Sequence, residues 1–403
     1  MSEIRICGAR SNDDRHKVQD LIYHTFYQNK LQGRREMEQF LNHLPDFLLH
    51  HNRMLWADDK LAACITLYTY TLRLGEARLK MGGIAHVATA SSFQKQGYAA
   101  RLMEDTLQYM KAEGYEVSVL FGIADFYHRW GYTFVFPEHS TQIEVEEALI
   151  CSHGGGRERE MKPADLNAIQ RIHLRNDSDT AASIIRFSQH YSMRWDHWKN
   201  ARVLLDEHGK VVAYHLGTFQ GTEYQVTEAG VADGTWTGPL LHACALHARE
   251  SFASQLNFYL PPLHPLARSF VLLESDHTTR ISRNCHGMMT ILDVGDTFKA
   301  MKPEWEHRLK RYAPRDFSSE VTLLTEKEAW RIRCEEGRIE IAPQGGKNKL
   351  SLTRQELTQL LVGYRHLEEL LCSGRRPLPH SSRLLLETLF PKRFPYIWTL
   401  DRF

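Results

Sequence analysis

Apolar and polar positions alternate in short runs over the first 150 residues, and turn or helix signals separate the runs. Ile4 to Ala9 reads as a first strand. From Asp13 the apolar residues Val18, Leu21, Ile22 and Phe26 fall at helical spacing. Met54–Trp56, Leu61–Tyr70 and Lys80–Thr89 read as successive strands, with Asp58-Asp59 as the hairpin turn between the first two. Ala99, Leu102, Met103, Leu107 and Met110 predict a helix from Gly97 to Glu113, and Gly114 stops it. Glu116–Phe121 alternates again, and a short helix from Asp125 ends at Gly131.

Cys151-Ser-His-Gly-Gly-Gly156 is a polar, glycine-rich break and reads as a linker. A second alternating segment runs from Glu160 to about Asp293. It has a turn at Glu207-His-Gly-Lys210 and a helix from Pro239 through Leu240, Leu241, Ala245 and Leu246. Its order loosely echoes the first segment and suggests a duplicated unit. From Met289 the pattern changes once more. Trp330, Ile332 and Cys334 alternate, Glu336-Gly337 turns, and Ile339 and Ile341 alternate in return. Thr353-Arg-Gln-Glu356 is a capping box that opens a helix with Leu357, Leu360, Leu361 and Tyr364 on one face. A last helix with Leu384, Leu385 and Leu389 is halted by Pro391.

A chain of 403 residues has room for two to four domains and needs no disulfide or metal staple. The formal charge of +1 gives no bulk field toward nucleic acid or an anionic membrane. Seven scattered cysteines without a Cys-x-x-Cys read as reduced thiols, and no apolar run reaches membrane-spanning length. The first residues lack an apolar signal segment. These features lead us to expect a cytoplasmic protein with neither a membrane nor a nucleic-acid partner. The 22 histidines form no ligand set at metal spacing, so no metal is expected. Gly345-Gly-Lys347 reads as a turn. Trp56 reads as core, with the lining of a pocket as the alternative.

The stretch from His86 to Met103 carries the chemistry. A strand enters a polar loop, Gln94-Lys-Gln-Gly97-Tyr-Ala99, which opens directly into an amphipathic helix. An uncapped helix start offers unpaired N–H groups to an anion. Gly97 and Ala99 let a pyrophosphate approach the backbone, and Gln94 and Lys95 add side-chain donors. The plainer reading is an ordinary strand–loop–helix connection. Downstream, Asp125-Phe-Tyr127-His-Arg-Trp-Gly131 places a tyrosine after the next strand. The last fifteen residues carry Phe390, Phe394, Tyr396, Ile397, Trp398, Leu400 and Phe403, far too apolar for a free end. Burying a ring such as Phe403 is worth roughly 1.5–3 kcal/mol, which predicts a docked tail.

The Gln94-x-x-Gly97-x-Ala99 loop resembles the acetyl-CoA signature of the GNAT N-acetyltransferases. That resemblance implies that the backbone of Val87, Ala88 and Thr89 pairs with the pantetheine arm, and that Gln94, Lys95, Gly97, Tyr98 and Ala99 hold the phosphates. It also implies that Tyr127 is the general acid. Free tyrosine titrates near 10 and a thiol near 8.5, so a tyrosine hydroxyl suits a departing thiolate. The Phe-Tyr-x-Arg-Trp-Gly-Tyr segment and the terminal phenylalanine narrow the resemblance to the Eis (enhanced intracellular survival) family, over essentially the whole chain.

What this implies is an α/β (α+β) fold: a catalytic GNAT domain over 1–149, a second GNAT-like domain over 150–290, and a sterol-carrier-protein-like domain over 291–403. The tail would return to the first active site, where the Phe403 carboxylate acts on the amine. A free carboxylate with a pKa near 3.5 is a weak base toward an ammonium, so positioning plus relay through water is favoured. The implied reaction is direct transfer of acetyl to a primary amine of a small molecule, such as an aminoglycoside or polyamine, by a homo-oligomer, a hexamer in the family. Peptide lysines are the alternative acceptor, and a non-catalytic acetyl-CoA sensor with a lipid-binding C-terminal domain is the alternative class. Arg402 stands where some members have an acid, which argues against polycationic acceptors. Gln94 and Lys95 replace consecutive arginines. Gly234-Thr-Trp-Thr-Gly238 does not fit the loop pattern, so the second domain is not expected to bind acetyl-CoA.

Overall fold

The alternating runs of the N-terminal third pair into one sheet whose inner strands, β2 above all, are buried on both faces, while β1 at the edge stays partly exposed. The computed structural model describes residues 3–27, 48–372 and 378–403. The first sheet holds β1 (Ile4–Gly8), β2 (Asn52–Ala57), β3 (Lys60–Leu74), β4 (Ala77–Thr89), β5 (Val117–Gly122) and β6 (Thr133–Phe136). Helix α1 (Asn12–Phe26) starts at Ser11, whose hydroxyl accepts from the N–H of Asp14. It packs on the sheet through Val18 and Ile22. Helix α2 (Tyr98–Ala112) covers the other face with Leu102, Met103 and Met110. The β3–β4 hairpin is longer than the sequence suggests, turning at Gly75 with φ +60°. A Cβ on Gly75 would strike the carboxylate of Glu304.

The second sheet takes β7 (Glu138–Glu144), β8 (Arg157–Glu160), β10 (Arg202–Leu205), β11 (Val211–Gln220), β12 (Glu223–Val231), β13 (Gln255–Phe258) and β14 (Asp276–Arg280). The short β9 (Ser183–Ile184) pairs instead with β3. Here β11 and β12 form an antiparallel hairpin, α3 (Thr237–Glu250) crosses over, and β13 returns parallel to β12. That order repeats β3, β4, α2, β5, where β5 is parallel to β4.

The two sheets exchange strands. β7 lies between β14 and β13 of the second sheet, while β15 (His286–Ile291) inserts between β5 and β6 of the first. The glycine-rich stretch 151–156 is a loop. It lies inside the second unit, because the chain has already crossed over at Glu138.

The third sheet, β16 (Ser319–Leu324), β17 (Ala329–Glu335), β18 (Arg338–Pro343) and β19 (Lys349–Ser351), runs in the order β18-β17-β16-β19. Glu336 and Gly337, both at positive φ, make the β17–β18 turn. Thr353 and Glu356 make both hydrogen bonds of the capping box. α4 (Pro265–Ser269) belongs to the second unit, and α5 (Val294–Tyr312) lies between the first and third. Trp305 of α5 lies between Phe298 and Phe390, so aromatic rings fill this interior.

The tail then runs back across the molecule, buried over Pro395–Trp398 and again at Asp401. Tyr396, Ile397 and Trp398 are buried. The N–H of Tyr396 donates to the carbonyl of Ala181 at 3.0 Å. Trp398 Nε1 donates to Asp177 Oδ1 at 2.9 Å, and the other oxygen of Asp177 takes Arg73 of β3 at 2.6 Å. Asp401 accepts two bonds from Arg186 Nε, at 2.8 and 3.0 Å. Both terminal nitrogens of Arg186 donate to Glu228 of β12 at 2.7 Å. His190 Nε2 lies 3.1 Å from Asp401. Burial alone would raise both carboxyls, but the Arg186 charge overrides it. Glu228 is held at about 2 and Asp401 well below the usual carboxylate range.

Replacing Arg186 with methionine strands two buried carboxylates. We expect Arg186→Met to cost about 3–5 kcal/mol of unfolding free energy, read as a lower urea midpoint. A loss below about 1 kcal/mol would show that the cluster is not what holds the tail.

Candidate active site

The parallel pairing of β4 with β5 stops at Ile84–Leu120, but β4 runs on to Thr89. Beyond Ile84 no strand pairs with that edge of β4 among the described residues. A bulge sits at this point. Cys64 pairs with Ala88 and Thr66 with Ala85, so two residues of β4, His86 and Val87, face one of β3. His86 adopts φ +48°, an uncommon conformation for a residue with a side chain. The bulge also splits the sequence-predicted trio. Ala88 is buried with the cluster under α1, and Val87 packs on the α2 side. Thr89 is half-buried at the strand end. What the three share is an open backbone edge.

The chain next makes a short 3-10 turn over Ser91–Phe93 and enters α2. Lys95 and Gly97 both have positive φ, at 61° and 80°. No side chain caps α2 at Gly97, and the space beside its Cα is empty for 4 Å. The first-turn N–H groups therefore face outward at the positive end of the helix, as an anion site needs. Gln94 and Lys95 are exposed at the rim, and Ala99 is half-buried on the first turn. Tyr98 is turned inward against Phe93, ring centroids 6.0 Å apart, so it offers a ligand only its backbone.

Tyr127 and Phe403 come to the same opening from opposite faces of the sheet. Side chains alternate along a strand, so Gly83 and Ile84 point to opposite sides. In β5, Val119 and Phe121 share the side of Gly83, and Leu120 and Gly122 share that of Ile84. A Cβ on Gly83 would lie 2.6 Å from the Phe403 ring, and a Cβ on Gly122 would lie 2.4 Å from the Tyr127 ring. Each ring thus rests on a glycine where the strands part. The Phe403 ring is also stacked on Tyr70 at 5.6 Å, with Tyr68 and Phe121 at 5.7 and 6.0 Å. Among the described residues no ion pair engages the terminal carboxylate. Arg402 turns away to Glu138 at 3.1 Å, its guanidinium 5.2 Å over Phe121. Tyr127 follows Gly122 on a 3-10 turn closed by Gly131. Burial pushes its hydroxyl up to about 12.

Sequence reasoning missed His86. Its ring lies 6.4 Å from Tyr68 and 6.3 Å from Phe26, on the Phe403 side. Its Nδ1 is enclosed without a hydrogen-bond partner among the described residues, and burial lowers the imidazole to about 4, so it is neutral at pH 7. Two adjacent residues against one are invisible to a period-2 pattern, although a histidine at the head of the loop motif was on view. Trp56 lies in the core beneath α1, with Arg5 and Lys17 over its ring at 5.4 and 5.6 Å.

The corresponding opening in the second sheet is filled by protein. β12 and β13 pair only as far as Val226–Phe258. Beyond that, α4 packs on β12, and the tail closes in. His264 lies 5.7 Å from Trp398, and the Tyr396 hydroxyl donates to the carbonyl of Tyr259 at 3.0 Å. Arg186 occupies Glu228 of the same strand.

Residues 9–135 match the acetyltransferase (GNAT) domain family, and residues 319–398 match the sterol carrier protein domain. No curated protein matches the chain. Solved structures share its fold from end to end. A GCN5-related N-acetyltransferase from Anabaena variabilis covers 100% of both chains at 15% identity and a TM-score of 0.77. One from Kribbella flavida covers 100% of this chain and 99% of its own at 18% identity and 0.77. Eis1 from Mycobacterium abscessus covers 100% of both at 13% and 0.68.

Two outcomes test this geometry. Gly83→Ala should push the terminal ring off the sheet and raise the rate of carboxypeptidase trimming at least tenfold, followed by mass spectrometry. An unchanged rate would mean that the ring does not depend on that glycine. For His86 the folded pKa lies below the unfolded value near 6.5, so the unfolded chain takes the proton first. Stability should fall as pH drops from about 6.5 to about 4, and His86→Gln should show a shallower fall in urea unfolding across that window.

Proposed function

We propose, for a chain that carries a GNAT acetyltransferase domain and a sterol carrier protein domain, that it moves acetyl from acetyl-CoA directly to a primary amine of a small molecule. The observation that carries this reading is the meeting of Phe403 and Tyr127 at one gap in the sheet, from its two sides. The pyrophosphate would rest on the N–H groups of Tyr98 and Ala99 beside Gly97, with Gln94 and Lys95 at the rim. Pantetheine would run along the open edge of Val87, Ala88 and Thr89 as an added strand. The thioester then enters the gap.

The amine arrives on the Phe403 face, where the terminal carboxylate orients it and takes its proton through water. Attack on the carbonyl carbon forms the C–N bond, the C–S bond breaks, and the thiolate leaves toward Tyr127. With its pKa near 12, the tyrosine stays protonated at any working pH. Full transfer to a thiolate of pKa about 8.5 is uphill by roughly 5 kcal/mol. Its hydroxyl therefore acts first as a hydrogen-bond donor to the sulfur and shares its proton as charge develops there.

The acceptor face is aromatic, with Tyr68, Tyr70 and Phe121 around Phe403 and Phe26 and Tyr68 beside the neutral His86, and no free carboxylate other than the terminal one among the described residues, since Arg402 already pairs with Glu138. These features favour amines with one positive charge and an apolar body over aminoglycosides, polyamines or a basic peptide. We place the reaction in the cytoplasm, where acetyl-CoA is available, and expect a homo-oligomer, a hexamer by resemblance.

Tyr127→Phe should lower kcat about 10²–10⁴-fold with CoA affinity within twofold. Removing Phe403 alone should lower kcat comparably while the melting curve stays within a few degrees. Normal turnover by either variant would strike that group from the mechanism. No transfer by the intact chain to arylalkylamines, polyamines, aminoglycosides or lysine peptides would favour an acetyl-CoA sensor.

A further inference from the structure

Away from the catalytic gap, a cavity of roughly 470 Å³ opens where the three units meet. Its walls are the β3–β4 turn at Gly75, the loop at Asp179, helices α4 and α5, and the tail at Arg393. Four guanidiniums converge on it from three elements: Arg268 of α4, Arg308 and Arg311 one turn apart on α5, and Arg393 of the tail.

Of the three carboxylates in the same walls, Glu304 and Asp179 are engaged, and Glu76 is exposed on the β3–β4 turn. Glu304 is buried and accepts from Arg308 Nε at 2.5 Å and from the N–H of Glu76 at 2.7 Å. Arg308 also donates to the carbonyl of Leu389 at 2.5 Å. Asp179 meets Arg268 at 3.1 Å, both side chains more than half exposed. Arg311 and Arg393 have no carboxylate partner among the described residues. Arg308 feels the crowding: burial first, and the charge of Arg393 among the further causes, lowers its pKa. Like charges gathered on one concave, poorly solvated surface focus a positive potential. Arginines, with planar two-pronged donors, suit phosphate oxygens better than ammonium groups do.

We propose that this cavity binds a small polyanion carrying at least two phosphate groups, held chiefly by Arg311 and Arg393 with Arg308 behind them. Two uncompensated arginines from different units call for more than one anionic group, and the volume accommodates them. The ligand would bridge α5 to the segment that leads toward Phe403. None of these residues lines the gap between β4 and β5, so the site is separate from acetyl transfer.

The test uses the full chain saturated with CoA, so that the phosphate site at the start of α2 is occupied. Calorimetric titration with inorganic pyrophosphate at low salt should show one site per chain. The ligand should raise the melting temperature by about 2 °C or more at saturation, and added salt should weaken it. Arg311→Gln and Arg393→Gln, both at surface-accessible positions, should each weaken binding at least tenfold, and the distant Arg383→Gln should not. Binding that survives both arginine changes, or no binding of pyrophosphate at millimolar concentration, overturns the proposal. Citrate binding as tightly as pyrophosphate overturns the assignment to phosphate.

Discussion

One buried arginine holds the far ends of this chain together. Arg186 is buried in the second unit, and its five donors need acceptors there. Glu228 supplies one carboxylate from β12 and Asp401 the other from the tail. Remove either and a charge is left in a low-dielectric interior, a penalty far larger than the value of any exposed ion pair. The tail therefore has one favourable seat, and Asp401 lies two residues before the end. Arg194 adds a bond to the carbonyl of Leu400. By the time the chain reaches Phe403 little conformational freedom is left, and the ring drops onto Gly83. Preorganisation of a terminal group, normally the most mobile part of a protein, is here a consequence of electrostatics in a neighbouring unit.

The duplicated fold makes sense in this light. Both copies build a long antiparallel hairpin, a crossover helix and a parallel strand whose pairing runs out early. In the first copy that leaves an open edge beside an uncapped helix start. In the second the same gap is packed with α4 and with the tail, and β12 carries Glu228 at the position that receives Arg186. One copy keeps the opening and the other uses it to grip the chain end. Exchange of β7 and β15 between the sheets ties the copies together, so their relative placement does not rest on a flexible linker.

Much of this was legible in the residues. Period-2 and period-3.6 patterns placed β1 to β5, α2, the Glu336-Gly337 hairpin and the capping box, since each depends on neighbours close in sequence, while β6 was not read. The loop at Gly97 and the aromatic tail were legible for the same reason. What escaped was non-local. Nothing near Glu138 or His286 tells which sheet those strands will join, because edge pairing is decided by partners more than a hundred residues away. Arg186, Glu228 and Asp401 are three ordinary charges in the sequence and become a cluster only once the chain has folded. The domain limits at 149 and 290 came from the resemblance, whereas the sheets follow the crossed strands.

The bulge at His86 links the architecture to the chemistry. A regular β4 would keep its register with β3 and present a continuous edge to β5, and a sheet closed along that edge has no room for a thioester. Two residues against one bend β4 away at the point where its pairing with β5 ends. The conformation costs something of order 1–3 kcal/mol for a residue with a Cβ, and the imidazole adds an unpartnered nitrogen. Neither cost is needed to fold a sheet, since glycine at this position would remove both. The strained, neutral histidine faces the same aromatic surface as the terminal ring, and the gap opens where that strain is tolerated.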